Sequence, residues 1–218
     1  MVDQPGGNVT TDVVIPAHDE AATVAEIVAA CVDAPSVGQV IVVADSCTDD
    51  TVNQADLAGA LVLTIDAADK GSAMAAGLAQ VVTDDVLFID ADLEGFAWQH
   101  AEGLVRAAPV GGMVVGLRDE PLKWGARLLP PISGERRLPA ALARSVNLAG
   151  QGYRAEILID AAVGKAHLPH RAVVMVGVSN PTRAATEPVS WVKMWVQLVG
   201  LCIGLAPELW GYLTAPSG

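Results

Sequence analysis

Basic residues are scarce in this chain. Its 218 residues hold 13 Lys and Arg against 25 Asp and Glu, a formal net charge of −12. That deficit argues against a general nucleic-acid binder, which carries a basic footprint. Cysteine is scarce too: Cys31, Cys47 and Cys202 stand far apart. No CxxC or CxxH spacing offers a zinc site, and an odd count gives no disulfide framework. A reducing cytoplasm is the expected compartment. No GxGxxG follows the first apolar run, and no GxxxxGK[ST] occurs anywhere. A dinucleotide-dependent dehydrogenase and a P-loop ATPase are therefore disfavoured. The opening "MVDQPGGNVTTD" has neither a positive n-region nor an apolar h-region, so no signal peptide is expected.

What the chain does have is apolar side chains. They make up 52% of it, enough for a sizeable core. The length suggests one domain, or one domain with an appendage. Short apolar runs alternate with helical stretches. "DVVIP", "QVIVVAD", "ALVLTID" and "DVLFIDAD" read as strands. Between them lie "EAATVAEIVAACVDA", with Val24, Ile27, Val28 and Cys31 on one helical face, then "DDTVNQADLAG", where Asp49 or Asp50 can cap a helix, then "GSAMAAGLAQVV". Continuous apolar strands separated by helices are the pattern of a buried parallel sheet. Right-handed crossovers put helices on both faces of such a sheet. The expected fold class is α/β, a Rossmann-like α/β/α sandwich with a mostly parallel central sheet and a C-terminal helical appendage. Further on, "AWQHAEGLVRAA" and "GYRAEILIDAAVGKA" read as helices, and "GGMVVGLRD" and "RAVVMVGVSN" as strands. Residues 119–139 read as a long loop or broken helix.

Ligands of open α/β sheets sit at the carboxyl ends of the strands. Here those ends are acidic: His18, Asp19 and Glu20; Asp45 and Ser46; Asp66, Asp69 and Lys70; Asp90 and Asp92. Carboxylates gathered on one edge repel one another unless a divalent cation or a basic side chain meets them. Asp90 and Asp92 straddle one residue after an apolar strand, and i and i+2 on an extended segment point the same way. Such a pair suits Mg²⁺ or Mn²⁺, hard cations that keep open positions for substrate phosphates. The plainer reading of the pair is a solvated loop or a helix cap.

"VVIPAHDEAATVAEIV", "VIVVADSCTDDT", "DKGSAMAAGLA" and "VLFIDADLEG" together resemble the successive motifs of GT-A-fold glycosyltransferases of the family 2 type, near the glucosyl-3-phosphoglycerate synthase branch (family 81). The likeness covers residues 12–95 and extends more loosely through "SGERRLPAAL" and "GYRAEILID". It implies a UDP-sugar donor, Mg²⁺ or Mn²⁺, and a small, possibly anionic hydroxyl acceptor. Under it Pro16, Ala17, His18 and Glu20 hold the uridine part, Asp45 and Ser46 meet the base, and Lys70 approaches the diphosphate. Asp90 and Asp92 become the metal-binding Asp-x-Asp pair. Gly134 and Glu135 line the sugar and acceptor pocket, Arg136 and Arg137 face an anionic acceptor, and Tyr153 and Glu156 form a Gly-Tyr-x-x-Glu pattern whose Glu contacts sugar hydroxyls. The catalytic candidates are Glu135, Glu156 and Asp92. An inverting reaction takes Glu135 as base; a retaining one lets the leaving phosphate accept the proton. Related enzymes add a metal-binding His after the last sheet strand. This chain has none there, and Asn180 stands in its place, with His167 and His170 upstream.

The expected organisation is a flexible 1–11, a nucleotide-sugar half at 12–95, an acceptor half at 96–188, and a C-terminal helix at 189–218 that packs or dimerises. The apolar run from Trp191 to Leu213 is interrupted by Lys193, Gln197, Pro207 and Glu208, so a membrane span is not expected. Six of the 13 basic residues (Arg118, Lys123, Arg127, Arg136, Arg137 and Arg144) crowd residues 118–144. They read either as a solvated face or as a landing site for an anion. Two competing functions remain. One is a nucleotide-binding relative with weak or no catalysis. The other is a sugar-nucleotide pyrophosphorylase, which should carry a Gly-rich basic loop where this chain has "PAHDEAAT".

Overall fold

A computed structural model describes residues 10–118, 133–180 and 205–214. Seven strands form one sheet: β1 (Thr11–Ala17), β2 (Val37–Asp45), β3 (Leu61–Ile65), β4 (Asp85–Phe88), β5 (Met113–Arg118), β6 (Arg136–Pro139) and β7 (His170–Met175). Their order is β3-β2-β1-β4-β6-β5-β7. All run parallel except β6, which is antiparallel to both β4 and β5. The helices are α1 (Val24–Val32), α2 (Thr51–Leu57), α3 (Lys70–Leu78), α4 (Trp98–Ala107), α5 (Ala140–Ser145), α6 (Arg154–Lys165) and α7 (Ala206–Thr214).

The period-two alternation of the strands divides the core into two layers. Val13, Ile15, Leu87 and Ile89 face α1 and α4, meeting Ile27, Val28 and Leu104. Val14, Val86 and Phe88 face the other way, onto Met74 of α3, Ala143 of α5, Ile159 of α6 and Tyr212 of α7. Both faces of β1 are thus covered, which explains its apolar run from Val13 to Ala17. α3 lies close on the sheet because Gly77 has no side chain; a Cβ there would stand 2.4 Å from Val14 Cγ1. The three-layer α/β sandwich with a mostly parallel sheet is the architecture that the alternating pattern implies.

One element departs from expectation. Residues 136–139, expected within a loop or broken helix, are β6. "RRLP" lacks the β-branched pattern of a strand. It is held extended by its two neighbours and by acids that meet its arginines. β6 also makes the sheet continuous across the boundary expected at residue 95. The C-terminal helix packs within the chain through Leu209 and Tyr212, which are buried, while Trp210 and Leu213 are exposed. The stretch 181–204 lies outside the described residues. Among the described residues no helix is long and apolar enough to cross a membrane.

Candidate active site

A cavity of about 230 Å³ opens at the carboxyl ends of β1, β2 and β4, closed on one side by the start of α3 and the approach to α6. Pro16, Ala17, His18, Glu20, Asp45, Lys70, Asp90, Asp92 and Tyr153 line it, together with Asp69 and Gly152. Eight residues expected at the donor and metal site, and Tyr153, expected at the substrate, therefore meet around one space.

Lys70 is the first residue of α3, and its ammonium is the centre of the site. Nζ donates to Asp90 Oδ1 and to Glu156 Oε1, each at 2.6 Å. Its side chain is only 15% exposed. Burial opposes its charge, but Asp90 and Glu156 outweigh burial and hold its pKa above the ordinary lysine range. The carboxylates at the strand end are thus met in part by a basic side chain. The Tyr153 ring lies 5.5 Å from the same ammonium, within the range of a cation–π contact.

Asp45 is built into the loop beneath the cavity. Burial pushes its pKa up, but the N–H groups of Asp69, Ala67 and Ala68 and the Ser46 hydroxyl prevail and hold it below the usual carboxylate value. Those donors lie 2.7–2.9 Å from its oxygens. Asp45 thereby shapes the 66–69 turn, where Ala68 has a φ of 48°. Ser46 does not line the cavity; its hydroxyl bridges Asp45 and Asp66. His18 Nδ1 lies 2.7 Å from the Asp45 carbonyl, which steers the exposed ring over the β2 end.

Asp69 was noted in the sequence only as one of the acids after the third strand, with no role, and it organises the site. It is the N-cap of α3, accepting from Ser72 N at 2.6 Å. Its carboxylate also accepts from Gly150 N at 3.0 Å and Gly152 N at 2.7 Å. One side chain so ties the start of α3 to the approach of α6, bringing Lys70 and Glu156 together. The local signal was present: Asp immediately before a helix, with Ser at its third position. The partners from 150–152 were not readable from spacing.

Three expected substrate residues stand elsewhere. Arg136 is fully buried, and its Nη1 donates to the Glu156 carbonyl at 2.6 Å, with Asp160 Oδ1 at 3.7 Å. Arg137 pairs with Asp85 at 2.5 Å, at the opposite end of β4 from Asp90. Neither arginine lines the cavity. Successive residues of a strand face opposite ways, so the two do not converge on one ligand. Arg144 donates to the Val81 carbonyl at 2.7 Å. Three of the crowded basic residues thus serve the fold, and Lys123 and Arg127 lie outside the described residues. Gly134 is spent on close approach: a Cβ there would lie 2.1 Å from Asp90 Oδ1.

Glu135, the expected base, is 0% exposed and does not line the cavity. Its Oε2 meets the Ser133 hydroxyl, which also donates to the Gly116 carbonyl at 2.5 Å. Burial, then the charge of Asp90, raise its pKa to about 7, against Arg118, Ser133 and Lys70. Because the folded value lies above the ordinary glutamate value of 4.5, folding favours the protonated acid. Its contribution to stability is complete below pH 4.5 and is lost as pH rises through about 7. Glu135→Gln, which cannot ionise, is expected to gain on wild type by on the order of 3 kcal/mol between pH 4.5 and 8. Urea unfolding at pH 5 and pH 8 checks this; an equal difference at both pH values refutes it.

Asn180 follows Ser179, whose backbone exchanges hydrogen bonds with Glu94 at 2.9 and 3.1 Å. That bridge sets the 179–180 segment beside the chain two residues past Asp92. His170 instead stacks on Tyr212, ring centroids 3.9 Å apart. Among the described residues Asp19, Cys47 and Asp49 also lie close enough to share an ion, with Asp19 and Asp49 exposed, and none of the three lines the cavity.

Residues 12–118 match the family model for glycosyl transferase family 2. No curated protein sequence matches the chain. Solved structures do. The chain is similar to a mycobacterial protein (24% identity, TM-score 0.74, 90% of this chain and 74% of that one). It is similar to Mycobacterium tuberculosis glucosyl-3-phosphoglycerate synthase in complex with Mg²⁺ and UDP (23%, 0.71, 90% and 79%). It also resembles that enzyme in complex with Mn²⁺, UDP and phosphoglyceric acid (24%, 0.72, 96% and 80%). Residues 12–118 thus carry the pattern of glycosyl transferase family 2, within a chain that has the fold of the glucosyl-3-phosphoglycerate synthases.

Proposed function

We propose that this protein transfers a sugar, with glucose the first choice, from a UDP-sugar to a small hydroxyl acceptor in the presence of Mg²⁺ or Mn²⁺. The observation that carries the reading is the cavity at the strand ends, where Lys70, Asp90 and Asp92 meet the β1 and β2 exits. A neutral diphosphate pocket needs none of these acids; a metal-bound diphosphate does. The donor set fits a hard divalent cation, because Asp90 and Asp92 present carboxylate oxygens to the same cavity. Asp92 and Asp90 would hold the ion, and Asn180 is the candidate for a further oxygen ligand. Bound there, the ion supplies charge neutralisation for a departing diphosphate.

The chain's own groups do the rest. The β1 exit from Pro16 to Glu20 and the β2 end at Asp45 shape the nucleoside side. Lys70, fixed as a cation by its two carboxylates, places positive charge where a diphosphate lies. Glu156 takes its position on the sugar side from Lys70 and from the α6 backbone, and Tyr153 walls that side. Glu135 is held as a buried acid behind Asp90, so it serves the electrostatics of the pair rather than touching an acceptor. With Arg136 and Arg137 engaged inside the fold, the case for a phosphoglycerate-like acceptor rests on the likeness to the solved synthases. The 12–95 half supplies the nucleotide side and 96–188 the acceptor side. Calorimetry of UDP and UDP-glucose with and without Mn²⁺ is the test. Metal-dependent binding of both is expected; no binding of either sinks the reading.

A further inference from the structure

The geometry points to Arg136 as the positioning residue that keeps Glu156 on Lys70, and through Lys70 keeps the ammonium on Asp90. The inference rests on the donor-site reading above only for its catalytic consequence. Its structural content stands by itself.

Arg136 sits on β6, paired with Phe88 of β4 and Val115 of β5, and is the largest fully buried side chain of the described residues. Its guanidinium reaches across to α6. There it donates to the Glu156 carbonyl at 2.6 Å and faces Asp160, one turn further along the helix, at 3.7 Å. Glu156 then sends Oε1 to Lys70, and Lys70 reaches Asp90, both at 2.6 Å. Four elements are linked in series: β6, α6, α3 and the segment leaving β4. Asp69 clamps the loop that enters α6, but it holds backbone at 150 and 152. Arg136 is the group that holds the first turn of α6 itself at Glu156.

The far side of the pair is closed by α7. Tyr212 is 2% exposed and stacks on His170. Burial raises the pKa of its phenol, the Asp160 charge adds to that and the Arg136 charge opposes it. The C-terminal helix is therefore part of the wall behind the site.

Stability alone does not call for an ion pair here. A buried guanidinium and carboxylate can be replaced by well-packed apolar side chains at no loss, and often with a gain. What the apolar pair lacks is direction. A planar guanidinium fixes the places of a carbonyl and a carboxylate at once. Methionine and leucine do not.

That difference gives the experiment. In the full chain, Arg136→Met with Asp160→Leu keeps the volume and removes the tether. Lys70 reactivity toward acetic anhydride is read by peptide mass spectrometry against Lys165, which is exposed on the same helix α6. Glu156→Gln serves as the reference for a released Lys70. The expected result is a rise of about 5-fold or more in the Lys70/Lys165 ratio, approaching that of Glu156→Gln, in a protein whose circular dichroism is unchanged. Mn²⁺-dependent UDP binding is expected to stay within about 3-fold, while UDP-glucose turnover falls at least 10-fold. The turnover loss is expected to vanish in the Glu156→Gln background, because residues acting in series are not additive. An unchanged Lys70 ratio in the folded double variant overturns the inference, as does a turnover loss that multiplies with that of Glu156→Gln. If the double variant does not fold, Asp160→Asn is used, with a rise of about 2-fold expected and no rise counting against the inference. Failure of wild type to bind UDP sinks the donor-site reading and leaves the Lys70 ratio to decide this one.

Discussion

Asp92→Ala is expected to lower UDP-glucose turnover by about 10²–10³-fold, the usual cost of losing one preorganised electrostatic group at a reacting centre. It is also expected to abolish the gain in UDP affinity that Mn²⁺ confers, while metal-free UDP binding changes little. The reasoning is geometric. Asp92 is 6% exposed, lies two residues past Asp90 and lines the same cavity. Asp90 already spends Oδ1 on Lys70, so Asp92 is the carboxylate best placed to carry a cation. Asp92→Asn keeps shape and removes charge, and is expected to lose nearly as much. Turnover and calorimetry on the three proteins check this. Turnover absent in wild type and in Asp92→Ala alike would favour the competing reading of a nucleotide-binding relative without catalysis, and turnover in wild type that Asp92→Ala loses excludes it.

Lys70→Met is expected to cost both stability and activity. In the folded protein Asp90 and Glu156 lie on either side of one ammonium. Removing it leaves two largely buried carboxylates facing each other without the cation. Breaking a buried ion pair by deleting one partner costs about 3–5 kcal/mol. The pH dependence follows from like-charge repulsion. Without Lys70 the two carboxylates face each other uncompensated when both are charged. The variant is then most unstable at high pH and regains stability as pH falls and the repulsion is relieved by a proton. Urea midpoints should therefore differ more between wild type and variant at pH 8 than at pH 5. Turnover is expected to fall by about 10²-fold or more at every pH. Lys70→Arg should recover stability in part but little activity, since a planar fork does not replace a point charge between two oxygens. A variant with the wild-type midpoint at pH 8 would show that Lys70 is not the link between these acids.

The cavity at the strand ends was legible because most of its lining residues sit where a strand pattern ends. Pro16, His18, Asp45, Lys70, Asp90 and Asp92 follow apolar runs, and parallel strands deliver their ends to one edge. The acceptor side was far less so. Glu135, Arg136 and Arg137 are neighbours in sequence, and on a loop all could reach one ligand. They lie on or beside a strand that sends Arg136 to Asp160 and Arg137 to Asp85, while Glu135 is buried against Ser133. Nothing in "SGERRLPA" announces that strand, because its partners are 52 residues earlier at Asp85 and 20 or more later on α6.

By itself, then, the sequence determined the α/β sandwich, the carboxyl edge as the place of the cavity, and Asp90 with Asp92 among the acids that line it. These follow from local periodicity and chain order, which require no knowledge of distant partners. Only the tertiary structure decided which charges cancel. Pairing Lys70 with Glu156, tying α3 to α6 through Asp69, and withdrawing Arg136 from the cavity each join segments tens of residues apart. Electrostatic partnership depends on distance and burial in space, and spacing along the chain records neither.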